Sequence, residues 1–205
     1  MRGHLRTLFA IHDVDDMIRL DTPWWTYGSI RVVEEHLGRL DGGARVFEYG
    51  SGASSLWLAA RSGEVHTVEH DAGFAEVMRD ALTRSGLADK VTLHEVPAED
   101  SGTPVTRSGR RGEDSVDYTA YARSIELPGG DFDLVVVDGR ARVACLHAAL
   151  GQLAPGGLVV FDDAQRPRYR AGIRSAGLPV RAIWGMVPSL PYPRQTAVLG
   201  PAAAS

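Results

Sequence analysis

Leu134-Val135-Val136-Val137 form an unbroken apolar run that ends at Asp138. Such a run is apolar on both faces of the pleat, so as a strand it has to be covered on both faces. That requirement selects a parallel sheet held between two helical layers. Further strand-like runs stand at Ala44–Tyr49, Glu64–Glu69, Val91–Val96 and Gly157–Asp162, with the central one spanning Phe132–Asp138. Helix-period segments alternate with them at Ser29–Leu40, Ala53–Arg61, Ala72–Ser85, Arg142–Leu153 and Tyr169–Ala176. Asp71 before the third helix and Gly86 after it are the residues expected of an N-cap and a left-handed stop. The last two runs, Val180–Trp184 and Gln195–Leu199, have only a Pro-rich turn between them and predict an antiparallel hairpin at a sheet edge. The expected fold is α/β: a doubly wound, mostly parallel seven-stranded sheet.

The 205 residues suit one domain, 1–205, with residues 1–28 as an N-terminal lid or substrate segment and 44–200 as the core. Glu99–Asp117, rich in Ser, Gly, Arg and acids, reads as a long polar loop or a partly disordered insertion. A net charge of −4 argues against a nucleic-acid binder. No apolar run approaches the roughly 18 residues of a membrane span, and Leu8–Ile11 is too short for a signal-peptide core. With Cys145 as the single cysteine, these features predict a cytoplasmic protein in a reducing compartment. Lys90 is the only lysine among 22 basic residues, a bias that points to a GC-rich bacterial genome rather than to phosphate binding.

Val46-Phe47-Glu48-Tyr49-Gly50-Ser51-Gly52-Ala53-Ser54-Ser55 lies where the first strand meets the first core helix. Gly50 and Gly52 allow a sharp turn and a close backbone approach to a ligand. Glu69 ends the next strand, 17 residues past Gly52, close to the roughly 20 expected of a ribose-binding carboxylate. Glu48, two residues before Gly50, would repel a pyrophosphate but suits the ammonium of an amino acid.

This acid-x-Gly-x-Gly pattern resembles motif I of the class I S-adenosylmethionine-dependent methyltransferases. The resemblance covers about residues 44–200 and includes Pro155-Gly156-Gly157, similar to the family's turn into its fifth strand. It implies S-adenosylmethionine as cofactor, with Glu48, Gly50, Ser51, Gly52, Ser55 and Asp138 among the residues that bind it. It also implies that Glu69 bridges the ribose hydroxyls, and that His70, Ala98 and Glu99 lie at the adenine.

Asp138 and Asp162-Asp163 end the two later strands, on the side where open α/β sheets bind ligands. Three converging carboxylates repel one another unless a cation neutralises them, and oxygen ligands suit Mg²⁺ or Ca²⁺. The layout resembles the cation-dependent O-methyltransferases of the catechol and macrocin types. That resemblance implies Asp138, Asp162 and Asp163 as metal ligands, with Asp138 and Asp163 catalytic and a metal-held acceptor oxygen aimed at the methyl group. The alternative, as in metal-independent relatives, makes these acids helix caps or hydrogen-bond partners of the substrate. The chain departs from both types, with Ala141 at the catechol type's lysine and Arg140 at the sugar-modifying type's second acid. Arg140 and Arg142 either grip a substrate carboxylate or phosphate or pair with the acids. The Arg166-Pro167-Arg168-Tyr169-Arg170 run reads as a solvated loop and helix start.

Trp24, Trp25 and Tyr27 precede the first core helix, placed for a lid with one tryptophan inward and one over the site. Tyr118 and Tyr121 share a face of an expected helix Val116–Ile125 and are candidates for the substrate pocket, with Trp184 and Tyr192 closing it. His12 is a candidate proton acceptor; His36, His66, His94 and His147 read as surface or packing residues, and Cys145 as core. The expected function is O-methylation of a small-molecule acceptor with S-adenosylmethionine, with assistance by Mg²⁺ left open. The alternatives are metal-independent N-methylation of a small amine and a non-catalytic S-adenosylmethionine-binding partner subunit. No membrane or nucleic-acid partner is expected, and a homodimer is left open.

Overall fold

A computed structural model describes residues 14–188 and 190–201. Helices α1 (Val14–Leu20) and α2 (Tyr27–Gly38) lead into the alternating part of the chain. There follow β1 (Arg45–Tyr49), α3 (Ala53–Arg61), β2 (Glu64–Glu69), α4 (Ala72–Arg84) and β3 (Val91–Glu95). A short ribbon of β4 (Glu99–Asp100) and β5 (Val116–Asp117) precedes α5 (Thr119–Arg123), β6 (Phe132–Val137), α6 (Arg142–Leu150) and β7 (Leu153–Phe161). The last elements are α7 (Arg170–Ser175), β8 (Val180–Gly185) and β9 (Arg194–Leu199).

The main sheet has seven strands in the order β3-β2-β1-β6-β7-β9-β8. Strands β1, β2, β3, β6 and β7 pair in parallel, and β9 runs antiparallel to both β7 and β8. This is the expected doubly wound sheet with its antiparallel edge. Strand order reverses between β1 and β6, which opens a crevice at their carboxyl ends.

The apolar run of β6 divides as its pleat requires. Val135 and Val137 pack with Phe47, Tyr49, Leu146 and Phe161 on one face. Leu134 and Val136 pack with Trp25, Val33, Leu37, Trp57 and Leu58 on the other. All four run residues are fully buried.

Several boundaries differ from expectation for local reasons. Helix α2 starts at Tyr27 rather than Ser29 because Thr26 is its N-cap, its hydroxyl accepting from the Ser29 N–H at 3.3 Å. Strand β7 begins at Leu153, inside the segment expected to finish a helix, and pairs with Phe132. Pro155-Gly156-Gly157 then lies within a register shift before Leu158 pairs with Leu134. The helix expected over Val116–Ile125 is split, because Asp117 accepts the N–H groups of Val105 (2.6 Å) and Thr119 (2.7 Å). With the Thr119 hydroxyl foremost, these bonds hold the Asp117 carboxyl down at about 2. The 99–117 excursion is therefore closed at its base by the β4–β5 pairing. Ile18 of α1 and Trp24 pack against α3 and α4 with Phe74, Leu56 and Met78. Among the described residues no helix is long and apolar enough to cross a membrane. His12 and the Leu8–Ile11 run lie outside the described residues.

Candidate active site

The carboxyl ends of β1, β2 and β6 open into a cavity of about 470 Å³. Gly50, Ser51 and Gly52 form its floor, with Glu69, His70, Asp71 and Phe74 on one wall. Asp138, Gly139 and Arg140 form the opposite wall, and Trp24 also lines it. Gly50 adopts φ +91, where only glycine sits without strain. A Cβ there would fall 2.7 Å from the Cα of Gly139, and one on Gly139 would strike the Tyr121 hydroxyl at 2.0 Å. The turns after β1 and β6 thus touch backbone to backbone.

Glu69 is the best-defined acceptor in the cavity. It takes the Ser51 hydroxyl at 2.9 Å and the N–H groups of His70 and Asp71 at 2.7 and 3.0 Å. Burial pushes its carboxyl up, but the bonds from His70, Asp71 and Ser51 outweigh that and hold it below the usual range. His70 stacks edgewise on Tyr121 and lies against Tyr118, so these tyrosines buttress the histidine. Both are buried and neither lines the cavity, contrary to the substrate role expected of them.

Glu48 is placed differently from expectation. It is fully buried beneath the turn, where Ser54, Ser55 and Thr67 donate their hydroxyls to it, and it does not reach the cavity. Burial raises its pKa to about 7. Ser55 is likewise a clamp, also accepting the Gly52 N–H at 3.0 Å. Glu48 and Ser55 therefore brace the glycine turn from below. Ala98 packs against the core and Glu99 is exposed in β4, so the expected adenine loop does not line the cavity. The wall instead uses Phe74, which sequence reasoning missed. Its signal is its place three residues after the Asp71 N-cap, in the first turn of the helix that follows Glu69.

The two tryptophans divide as expected: Trp24 faces the cavity, while Trp25 is buried edge-on to Trp57 at 6.0 Å. The Trp25 indole N–H lacks a hydrogen-bond partner, yet lies close enough to Asp138 to lower its pKa. Tyr27 opens α2 and, like Trp184 and Tyr192, is exposed away from the cavity. Trp184 stands on β8, the outermost strand, and Tyr192 in the turn leading to β9. None of the three closes the pocket.

The three acids do not form a cation site. The buried Arg142 guanidinium stands among them, 2.8 Å from the Asp138 carboxylate and 3.8 Å from that of Asp163. It also donates to the carbonyls of Asp162 (2.7 Å), Asp138 (3.0 Å) and Gly139 (3.1 Å). Asp163 is further held by Arg166, by Arg194 at 2.9 Å and by Gln165 at 3.1 Å. Asp162 accepts from the Thr196 hydroxyl at 2.8 Å. The neutralising charge is thus supplied by arginine, and no group of three potential ligands among the described residues is arranged to hold a metal. Asp138, Asp162 and Asp163, expected as metal ligands, are thus engaged by arginine, and Asp163 and Arg142, expected as catalytic and substrate residues, belong to this network and do not line the cavity. Only Asp138 of the three lines the cavity. Burial raises its pKa and Arg142 partly offsets the rise.

Burial, then the nearby Asp138, lifts Asp162 to about 8, so it is protonated at neutral pH. A folded-state pKa above the unfolded value means that the native state binds the extra proton. Its contribution to stability is full below about 4 and falls as pH rises to about 8, by at most about 1.4 kcal/mol per pH unit. Asp162→Asn keeps an acceptor for Thr196 and removes the titration. Chemical denaturation between pH 5 and pH 9 should therefore show a flatter profile in that variant, with its largest advantage over the parent at the alkaline end.

Beside this cavity lies a second, of about 370 Å³, lined by Ser108, Arg110, Gly139, Arg140, Arg166, Arg168 and Tyr169. Arg140 and Gly139 belong to both. Arg166 and Arg168, expected in a solvated loop, face this second cavity.

A glycine turn between strand and helix, an acid ending the next strand and a crevice at the sheet's switch point define a nucleoside-cofactor-binding α/β protein. The profile of the methyltransferase domain family matches residues 47–164, more than half of the chain. The chain belongs to that methyltransferase domain family. Catechol O-methyltransferase of Mycobacterium tuberculosis is 33% identical over 129 residues, which cover 60% of this chain and 49% of that protein. The match thus spans about half the length of that relative. Among solved structures, an O-methyltransferase of Bacillus cereus in complex with S-adenosylhomocysteine superposes with TM-score 0.63 at 17% identity, covering 97% of this chain and 96% of the other. The O-methyltransferase TomG of Streptomyces achromogenes, involved in tomaymycin synthesis and solved with S-adenosylmethionine, gives 0.62 at 20% identity, covering 96% and 93%. At these identities the two structures establish the shared fold.

Proposed function

We propose that this chain is an S-adenosylmethionine-dependent O-methyltransferase of a small-molecule acceptor, working in the cytoplasm as one domain without a metal ion. The observation that carries the reading is one cavity holding both Glu69, braced by Ser51 and two backbone N–H groups, and Asp138 across the Gly50–Gly52 turn. Glu69 suits the ribose hydroxyls, His70 and Phe74 the adenine, and Asp138 the neighbourhood of the transferring methyl group. Trp24 offers an aromatic face to the sulfonium. The 33% identity to a catechol O-methyltransferase supports oxygen as the acceptor atom, and arginines in place of a metal support metal-free transfer. Asp138 is placed to take the acceptor's hydroxyl proton as its oxygen displaces the sulfonium methyl; its raised pKa matches that task.

Titration calorimetry with S-adenosylhomocysteine, paired with methyl transfer from labelled S-adenosylmethionine to catechol in EDTA, tests this reading. Glu69→Ala should weaken S-adenosylhomocysteine binding by about 1–3 kcal/mol, roughly 5- to 150-fold, because hydrogen bonds to a buried charge are lost. Absence of binding by the parent protein would overturn the cofactor assignment. Activity abolished by EDTA and restored by Mg²⁺ would overturn metal-free transfer, and activity confined to amine probes would move the chemistry to nitrogen.

A further inference from the structure

We infer that the arginine-lined cavity beside the cofactor cavity is an anion subsite for a carboxylate or phosphate group. On the methyltransferase reading above, that group belongs to the methyl acceptor. Arg110, Arg140, Arg166 and Arg168 converge on it from three separate segments: the 99–117 excursion, the β6–α6 turn and the β7–α7 turn.

Internal acids account for only part of this charge. Glu113 is shared between Arg110 at 3.4 Å and Arg140 at 3.5 Å, while also accepting the hydroxyls of Ser108 and Tyr118. Asp163 holds Arg166 but is shared with Arg194 and Arg142. Arg168 contacts the Gly109 carbonyl at 3.1 Å and the Tyr169 hydroxyl at 2.9 Å, with no carboxylate partner among the described residues. The buried Nε of Arg140 makes no hydrogen bond and meets only the Glu113 carboxylate, at 3.5 Å. Four guanidinium groups thus face two shared carboxylates.

Like charges gathered in a partly enclosed space repel one another, and a bound anion relieves that repulsion while accepting forked N–H bonds. A purely structural cluster would be expected to pair each arginine with its own acid, as Arg61 pairs with Asp21 elsewhere in the chain. Position gives the site its meaning. Arg140 and Gly139 line both cavities, so an anion held here sits two residues along the chain from Asp138.

The test is calorimetric titration of inorganic phosphate, and separately of benzoate, into the full chain with and without S-adenosylhomocysteine. Saturable binding of one anion that weakens with added salt is expected, and the preferred probe tells phosphate from carboxylate. Arg168→Gln and the exposed Arg110→Gln should each weaken that binding about tenfold or more, whereas Arg168→Lys, which keeps charge without the fork, should lose less. S-Adenosylhomocysteine affinity should stay unchanged in all three. In turnover, 3,4-dihydroxybenzoate should be preferred over its neutral amide, and Arg168→Gln should erase the preference through KM. Failure of both anions to bind, or binding indifferent to the arginine variants, would overturn the subsite even where S-adenosylhomocysteine binds normally. Anion binding without S-adenosylhomocysteine binding would uphold the subsite and instead overturn the cofactor reading.

Discussion

Arg142→Gln should lose about 3–5 kcal/mol of stability, the usual cost of removing one partner from a buried charge network. The effect is large because one guanidinium serves two ends. It neutralises Asp138 and approaches Asp162 and Asp163, and it ties the β6 turn to the β7 turn through the carbonyls of Asp138, Gly139 and Asp162. Arg142→Lys keeps the charge but cannot span three carbonyls, so it should fall between the parent and Arg142→Gln. Urea denaturation gives the comparison directly, and the deficit of Arg142→Gln should shrink at lower pH as the stranded acids protonate. A loss below about 1 kcal/mol would show that the acids relax onto Arg166 and Arg194 instead.

Asp138→Asn should cut turnover about 100-fold or more, the scale of a lost general base, while cofactor affinity stays within a few-fold. Asparagine preserves the shape of the cavity wall and cannot take a proton at neutral pH. The fold should tolerate the change, since the lost attraction to Arg142 is set against the desolvation of the carboxylate, the larger effect, and the repulsion from Asp163, both of which are relieved. Single-turnover rates at saturating cofactor separate the chemical step from binding. Near-normal turnover would assign Asp138 to the structural network alone.

Much of the architecture was legible because it rests on local signals. An apolar run specifies a doubly covered strand, Asp71 and Gly86 bound a helix, and Gly50 sits where φ is +91. Depth and partner choice were not legible, since both are set by residues distant in sequence. Glu48 and Glu69 look alike as acids on neighbouring strands, yet three hydroxyls from α3 and β2 bury the first while the second meets the cavity. Arg140 and Arg142 stand two apart, so the helix start turns one toward the cavities and the other into the acids. Trp184 depended on sheet order: β8 lies outside β9, several strands from the β1–β6 crevice. Arg166 and Arg168 looked solvated because the excursion that meets them is more than fifty residues away, where Arg168 reaches the carbonyl of Gly109.

The contact between Gly50 and Gly139 has a mechanical consequence. Two side chains in van der Waals contact can absorb a displacement by changing rotamer, but bare backbone has no such slack, and close-packed interiors pass strain on. Any tilt of the Gly50–Gly52 turn is delivered to the residues flanking Gly139, one of which is Arg140 and the other Asp138. Arg142 fastens the far side of that second turn to the β7 end, so it moves as a rocker rather than as a free loop. A displacement of either turn therefore loads the other.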